Sequence, residues 1–258
     1  MLVFTPCQFL PVRSGIQRAP WGFMSQLLSV LSAVLLVFVL SQGARAHDLW
    51  VEREGNLQRL YFGHERSAHE GAQHLEYRPE TVRQAACHGA DGKQVRAEIG
   101  EAYPVSLKGD CAASLFLVSS GYWSKTPYGT RNLPRNEAGQ VFESWLSVET
   151  VKRIDRWGDG LAEALGEGLE LVPLGNPLSL KAGEKLRLRA MRQGRPAADV
   201  TVAYFGKPRG VTGADGLINI RLNQPGLQLI QASQEALLPG DVRADKVIRG
   251  ATLQFEIK

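Results

Sequence analysis

Apolar residues recur along most of the chain in short runs that are interrupted by glycine, proline and aspartate. The runs at 49–52 and 57–62 flank the sequence Glu54-Gly55-Asn56 and predict a β-hairpin. The run at 113–119 is the most apolar of those after residue 46, and we expect it at the centre of a sheet. Short apolar runs separated by turn residues are typical of a mainly β protein.

One segment has a different period. Residues 143–157 carry apolar residues that approximate an i, i+3, i+6, i+9 stripe, which predicts an amphipathic helix that ends at Gly158-Asp159-Gly160. The stripe consists of Trp145, Leu146, Val148, Val151, Ile154 and Trp157. The sequence therefore predicts that residues 47–168 form an N-terminal β-sheet domain that contains one helix.

From residue 169 to residue 258 the pattern is purely β. Apolar and basic residues alternate over 185–190, and further apolar runs follow with turn signals at roughly ten-residue intervals. This spacing predicts a second domain, a sandwich of about seven strands. Before it, the polar segment 121–139 is expected to be a long loop, whose aromatic residues either cover the edge of the sheet or form a platform for a ligand.

Residues 1–46 resemble an export signal. The apolar run 27–40 is shorter than the roughly 20 residues that a membrane helix needs, and Ala44-Arg45-Ala46 has the small-residue pattern of a cleavage site. Met24 offers a second start position that would give a more compact signal. We expect cleavage after Ala46 and a periplasmic protein with no remaining membrane span; the alternative is an uncleaved anchor.

Charge and cysteine content agree with this prediction. Without residues 1–46 the chain has 27 basic and 26 acidic residues, a net charge of +1, and shows no basic tract typical of a nucleic-acid-binding protein. Cys87 and Cys111 are then the two remaining cysteines. In an oxidising compartment such a pair is a disulfide candidate, although two reduced, buried cysteines remain the alternative.

Histidine is distributed unevenly. All five histidines lie within residues 47–88. After cleavage His47 would be the first residue, and its α-amine and imidazole Nδ1 could chelate a transition metal together. His64, His69 and His74 follow at five-residue intervals, with Glu65 beside the first of them. These five residues, His47, His64, Glu65, His69 and His74, are the candidate metal ligands, whereas His88 next to Gly89 is expected to be a solvated turn residue.

The chemistry of such a site is broad. Nitrogen-rich ligand sets suit nickel, copper and zinc, and ligand preference alone does not choose among these metals and cobalt. The sequence contains no Gly-x-Ser-x-Gly elbow, no His-Glu-x-x-His and no Walker motif, so we expect neither a hydrolase nor the transporter itself. Two alternatives to a metal-binding protein stay open: a non-catalytic envelope adhesion or scaffold protein, and a copper enzyme with a terminal histidine.

The order of several motifs resembles a family of exported bacterial proteins that act as periplasmic components of nickel and cobalt uptake, a domain-of-unknown-function family. The matching elements are Ala46-His47-Asp48-Leu49-Trp50, Gly63-His64, 169–173, Gly194-Arg195-Pro196, Thr212-x-x-Asp215-Gly216, Pro225-Gly226 and Ala251-Thr252-Leu253-x-Phe255. The resemblance implies a second domain of the immunoglobulin-like or carboxypeptidase-regulatory-like kind. It also implies an accessory role in uptake, with a membrane metal-transport complex as partner.

Overall fold

The computed structural model describes residues 48–63 and 74–258, and the chain there is built almost entirely from β-strands. In chain order the strands are β1 Asp48–Glu54, β2 Leu57–Gly63, β3 His74–Leu75, β4 Val82–His88, β5 Gln94–Val95, β6 Glu98–Gly100, β7 Ser106–Lys108, β8 Ala113–Thr126, β9 Gly129–Arg131, β10 Glu143–Ile154, β11 Leu169–Pro173, β12 Lys185–Arg192, β13 Arg195–Pro196, β14 Thr201–Tyr204, β15 Lys207–Val211, β16 Leu217–Arg221, β17 Gly226–Leu237 and β18 Lys246–Ile257.

The helical content of the described residues is four short 3₁₀ turns, at Pro79–Thr81, Arg135–Glu137, Asp159–Ala162 and Pro177–Ser179. No helix in this part of the chain is long and apolar enough to cross a membrane. The mainly β, sandwich-like fold predicted from the sequence is therefore confirmed.

The strands form three sheets. The N-terminal sheet has the order β1-β2-β7-β6, with β3 also paired to β2. The central sheet has the order β15-β14-β17-β18-β10-β8-β4-β5, with β9 paired to β8. The C-terminal sheet has the order β11-β12-β13, with β16 paired to β12. Strands from both predicted domains thus share the central sheet, and the described residues belong to one compact unit.

The predicted helix at 143–157 is wrong, because this segment is the long strand β10 and an irregular tail. β10 pairs with β8 on one side and, in parallel, with β18 on the other. Val151 packs into the core beneath the N-terminal sheet, and Ile154 packs into the core beneath the C-terminal sheet. Since both faces of β10 are covered, its apolar residues do not alternate as they would on a half-exposed strand.

The segment 121–139 is also more regular than predicted. β8 continues through Tyr122 and Trp123, which lie opposite Leu146 and Trp145 of β10, and a turn then leads into β9. Tyr128 is exposed at the tip of this hairpin.

Two buried cross-links join separate segments of the chain. Cys87 of β4 and Cys111 are joined by a disulfide, with their Cα atoms 5.1 Å apart. Lys152 of β10 donates a hydrogen bond to Glu170 of β11 at 2.9 Å, and both side chains are 1% exposed. Glu170 also accepts a hydrogen bond from the backbone N–H of Leu165 at 2.9 Å. The ion pair links the central sheet to the C-terminal sheet.

Candidate functional site

Three strands of the N-terminal sheet contribute residues to one row across the sheet. Asp48 of β1 lies opposite Gly63 of β2, and Gly63 lies opposite His74 of β3. Of the predicted ligands, His74 is in the described part of the chain. His47, His64, Glu65 and His69 lie outside the described residues. His47 is the sequence neighbour of Asp48, and His64 is the sequence neighbour of Gly63.

His74 is held by two aromatic rings and a carboxylate. Its ring centroid is 4.3 Å from that of Tyr61 and 5.5 Å from that of Trp50. Its Nε2 lies 3.1 Å from Oε1 of Glu52, and Trp50 Nε1 donates to the same oxygen at 3.1 Å. A carboxylate bound to one ring nitrogen is the arrangement that orients histidine ligands through the other nitrogen.

The strand that begins next to His47 is anchored to the central sheet by two glutamine side chains. The amide of Gln254 accepts a hydrogen bond from Val51 N–H at 2.8 Å and donates one to the Val51 carbonyl at 2.9 Å. Gln231 Nε2 donates to Oδ1 of Asp48, while its own Oε1 accepts from Gly206 N–H at 2.8 Å. The first residues of β1 therefore have a fixed place on the central sheet.

A second carboxylate, which the sequence analysis missed, lies near Asp48. Glu149 of β10 pairs with Gly250 of β18, and a Cβ atom at position 250 would come within 2.9 Å of Glu149 Cγ. The glycine thus leaves room for the Glu149 side chain to lie over the neighbouring strand. Burial and, to a smaller extent, the negative charge of Asp48 together raise the pKa of Glu149 to about 7.

Glu149 nevertheless keeps partial contact with solvent. Because burial disfavours the ionised form of this carboxylate, a cation next to it would be stabilised. The sequence does not indicate a functional role for Glu149, because residues 143–157 have the pattern of an amphipathic helix. A glutamate in such a helix is expected on the polar side.

Some predicted elements lie apart from this row. His88 is buried at the end of β4, where Nδ1 lies 3.0 Å from the carbonyl oxygen of Gly92, so it is not the solvated residue that we expected. Over residues 48–63 and 74–258, no three histidine, cysteine, aspartate or glutamate side chains are grouped closely enough to hold a metal ion. Within this part of the chain the row contributes Asp48 and His74, Glu149 lies near Asp48 on the central sheet, and these residues are not a complete ligand set.

The chain matches one known protein family over a range that includes this site. Residues 44–236 match the family described as a domain of unknown function, DUF4198. The chain belongs to this family. The DUF4198 match includes the row of Asp48, Gly63 and His74 as well as Glu149 and Gln231, and it confirms the resemblance at the level of a family of unknown function. No curated protein and no solved structure matches the chain.

Proposed function

We propose that this DUF4198 protein is exported to the periplasm, where it binds a divalent transition metal, nickel or cobalt, without catalysing a reaction. The observation that carries the proposal is the row of Asp48, Gly63 and His74 across β1, β2 and β3. Because neighbouring strands are about 4.8 Å apart, this row is about 10 Å wide. His47 and His64, the sequence neighbours of Asp48 and Gly63, would be within reach of a common metal ion.

The donors fit the chemistry of such a metal. After cleavage His47 would provide its α-amine and Nδ1, and His64 a third nitrogen. His74, His69 or Glu65 would complete the set, and His74 already has the carboxylate partner that orients a ligand. Asp48 and Glu149 would place negative charge next to the ion. By resemblance to periplasmic components of nickel and cobalt uptake, the metal would be passed to a membrane transport complex.

The protonation of these donors gives the proposal a pH dependence. The α-amine has an ordinary pKa near 8 and histidine one near 6.5, and each donor must be deprotonated to bind. Affinity is therefore expected to fall steeply as the pH drops below about 6.

The test is a titration with nickel, cobalt, copper and zinc of the protein that begins at His47, beside a version with one extra alanine ahead of His47. Tight 1:1 binding that is lost in the extended version supports the proposal. A variant with His74→Ala reports on the third strand of the row, and the buried His88 offers the matched control His88→Ala. Absence of binding in every version, or equal binding in all of them, refutes the proposed site.

One observation favours a second candidate, a non-catalytic adhesion or scaffold protein. Large apolar side chains are exposed at the hairpin ends on one side of the central sheet: Tyr128 and Phe142 near β8 and β10, and Leu237 and Val242 near β17 and β18. Clustered exposed apolar residues are typical of protein interaction sites. If the protein is an adhesion or scaffold protein, replacing all four residues by serine would abolish binding to envelope partners. If it is a metal-binding protein, the same replacement would leave metal affinity unchanged.

A further inference from the structure

Two arginines face each other across a tight turn in the C-terminal sheet. Arg192 at the end of β12 lies directly opposite Arg195 at the start of β13. Gln193 and Gly194 between them both have positive φ angles, 52° and 69°, as a two-residue type I′ turn requires. Residues directly opposite in an antiparallel pair project from the same face, and like charges there destabilise the sheet.

A third arginine adds to this cluster. Arg249 of β18 lies directly opposite Gln234 of β17, whose side chain lines the same cleft as Arg192 and Arg195. The cleft has a volume of about 600 Å³. Nη1 of Arg249 is buried and has no hydrogen-bond partner. Burial lowers the pKa of Arg249, and the charge of Arg192 lowers it further.

The cluster lacks the acidic partners that several other basic residues of this protein have. Elsewhere Arg135 pairs with Asp245, and Lys246 pairs with both Glu143 and Glu235. Within the described ranges, no carboxylate forms an ion pair with Arg192, Arg195 or Arg249. A buried guanidinium nitrogen without an acceptor costs free energy, as does the repulsion between the arginines. An anion in the cleft would offset the repulsion and would place a negative charge beside Arg249.

We propose that the cleft lined by Arg192 and Arg195, with Arg249 beside it, binds a small oxyanion with at least two negative charges, a phosphate or a polycarboxylate. Guanidinium groups donate paired hydrogen bonds to the oxygens of such anions. Gln234 can take part from the opposite wall, although its Nε2 already donates to the Ala198 carbonyl at 2.9 Å. The site is independent of the proposed metal site, because consecutive residues 249 and 250 face opposite sides of the central sheet and Glu149 lies over Gly250.

The test is calorimetric titration of the metal-free protein with inorganic phosphate and with citrate at constant ionic strength set by sodium chloride. Saturable binding of either anion is expected, and the two arms show which oxyanion is preferred. Arg192→Gln and Arg249→Gln should each weaken binding at least about tenfold. Arg187→Gln is the matched control, since Arg187 is an exposed arginine of the same strand outside the cleft and its loss should leave binding unchanged.

Stability provides a second signature. Without anions, Arg249→Gln should unfold at a higher urea concentration than the unaltered protein, because it removes a partly buried charge that is repelled by Arg192. Should that variant fail to fold, the exposed Arg195→Gln carries the same binding test. The proposal is overturned by the absence of saturable binding of both anions, or by binding that persists unchanged in all the cleft variants.

Discussion

The side chain of Gln254 bonds both backbone groups of Val51, with its amide oxygen 2.8 Å from the Val51 nitrogen and its amide nitrogen 2.9 Å from the Val51 oxygen. β1 is an edge strand of its sheet, and the glutamine satisfies the N–H and C=O groups that a further strand would otherwise pair. One side chain on the central sheet therefore fixes the strand that leads to the proposed metal ligands.

We expect Gln254→Ala to destabilise the protein by about 1–3 kcal/mol, because the buried Val51 N–H loses its partner and the Val51 carbonyl keeps only the longer hydrogen bond from Arg153, at 3.3 Å. Urea denaturation measures the change, and Gln140→Ala provides a control at an exposed glutamine. A loss below about 0.5 kcal/mol would show that water replaces the amide without cost.

The buried ion pair of Lys152 and Glu170 predicts a strongly non-additive result. Lys152→Met leaves a buried carboxylate without its cation and should cost about 3–5 kcal/mol. Combining it with Glu170→Gln should recover much of that loss, since no uncompensated charge remains. A double-mutant cycle by urea denaturation measures the coupling. Additive losses would argue against a direct interaction between the two side chains.

Glu149 predicts how stability depends on pH. Its pKa is raised from the ordinary 4.5 to about 7 in the folded protein. Between these values the unfolded chain releases the proton while the folded protein retains it, so stability falls as the pH rises through this window.

Glu149→Gln should flatten that dependence and make the protein more stable at pH 8. Unfolding curves recorded with a chelator present from pH 4 to pH 8 measure this, beside the exposed control Glu137→Gln. An unchanged pH profile in Glu149→Gln would mean that another group is responsible.

The disulfide between Cys87 and Cys111 spans 24 residues of sequence. Closing a loop of this length restricts the unfolded chain, so reduction or Cys87→Ser with Cys111→Ser should cost about 2–4 kcal/mol. Thermal unfolding with and without reductant measures this effect. The double-serine variant should be insensitive to reductant, and a shift in that variant would show that reductant acts elsewhere.

The sequence predicted best those elements whose pattern is local. The β1–β2 hairpin follows from two apolar runs around Gly55, whose φ of 61° suits the turn. The pairing of the two cysteines was one of two open alternatives. The hairpin needs information from a few neighbouring residues only, and the cysteine pairing was considered because two cysteines remain after residue 46.

The elements that depend on distant partners were predicted poorly. β10 has apolar residues on both faces because two separate cores flank it, and its spacing therefore resembles that of a helix. Lys152 and Arg153, both buried in this strand, would be expected on a solvent-facing side. Their partners lie on other elements: Glu170 of β11 accepts from Lys152, and the Val51 carbonyl accepts from Arg153. For the same reason Glu149 was not recognised as part of the candidate site.

The parallel pairing of β10 with β18 also constrains how the protein assembles. β18 fills the gap between β10 and β17, so the strand in the middle of the central sheet is encoded by residues 246–257, far along the chain. Until that segment arrives, β10 and β17 each present a long strand edge with unpaired backbone groups, which favours association with other chains. Loss of residues 246–257 would therefore remove a strand from the centre of the sheet and not from its edge. A chaperone that shields strand edges would act mainly before β18 is inserted.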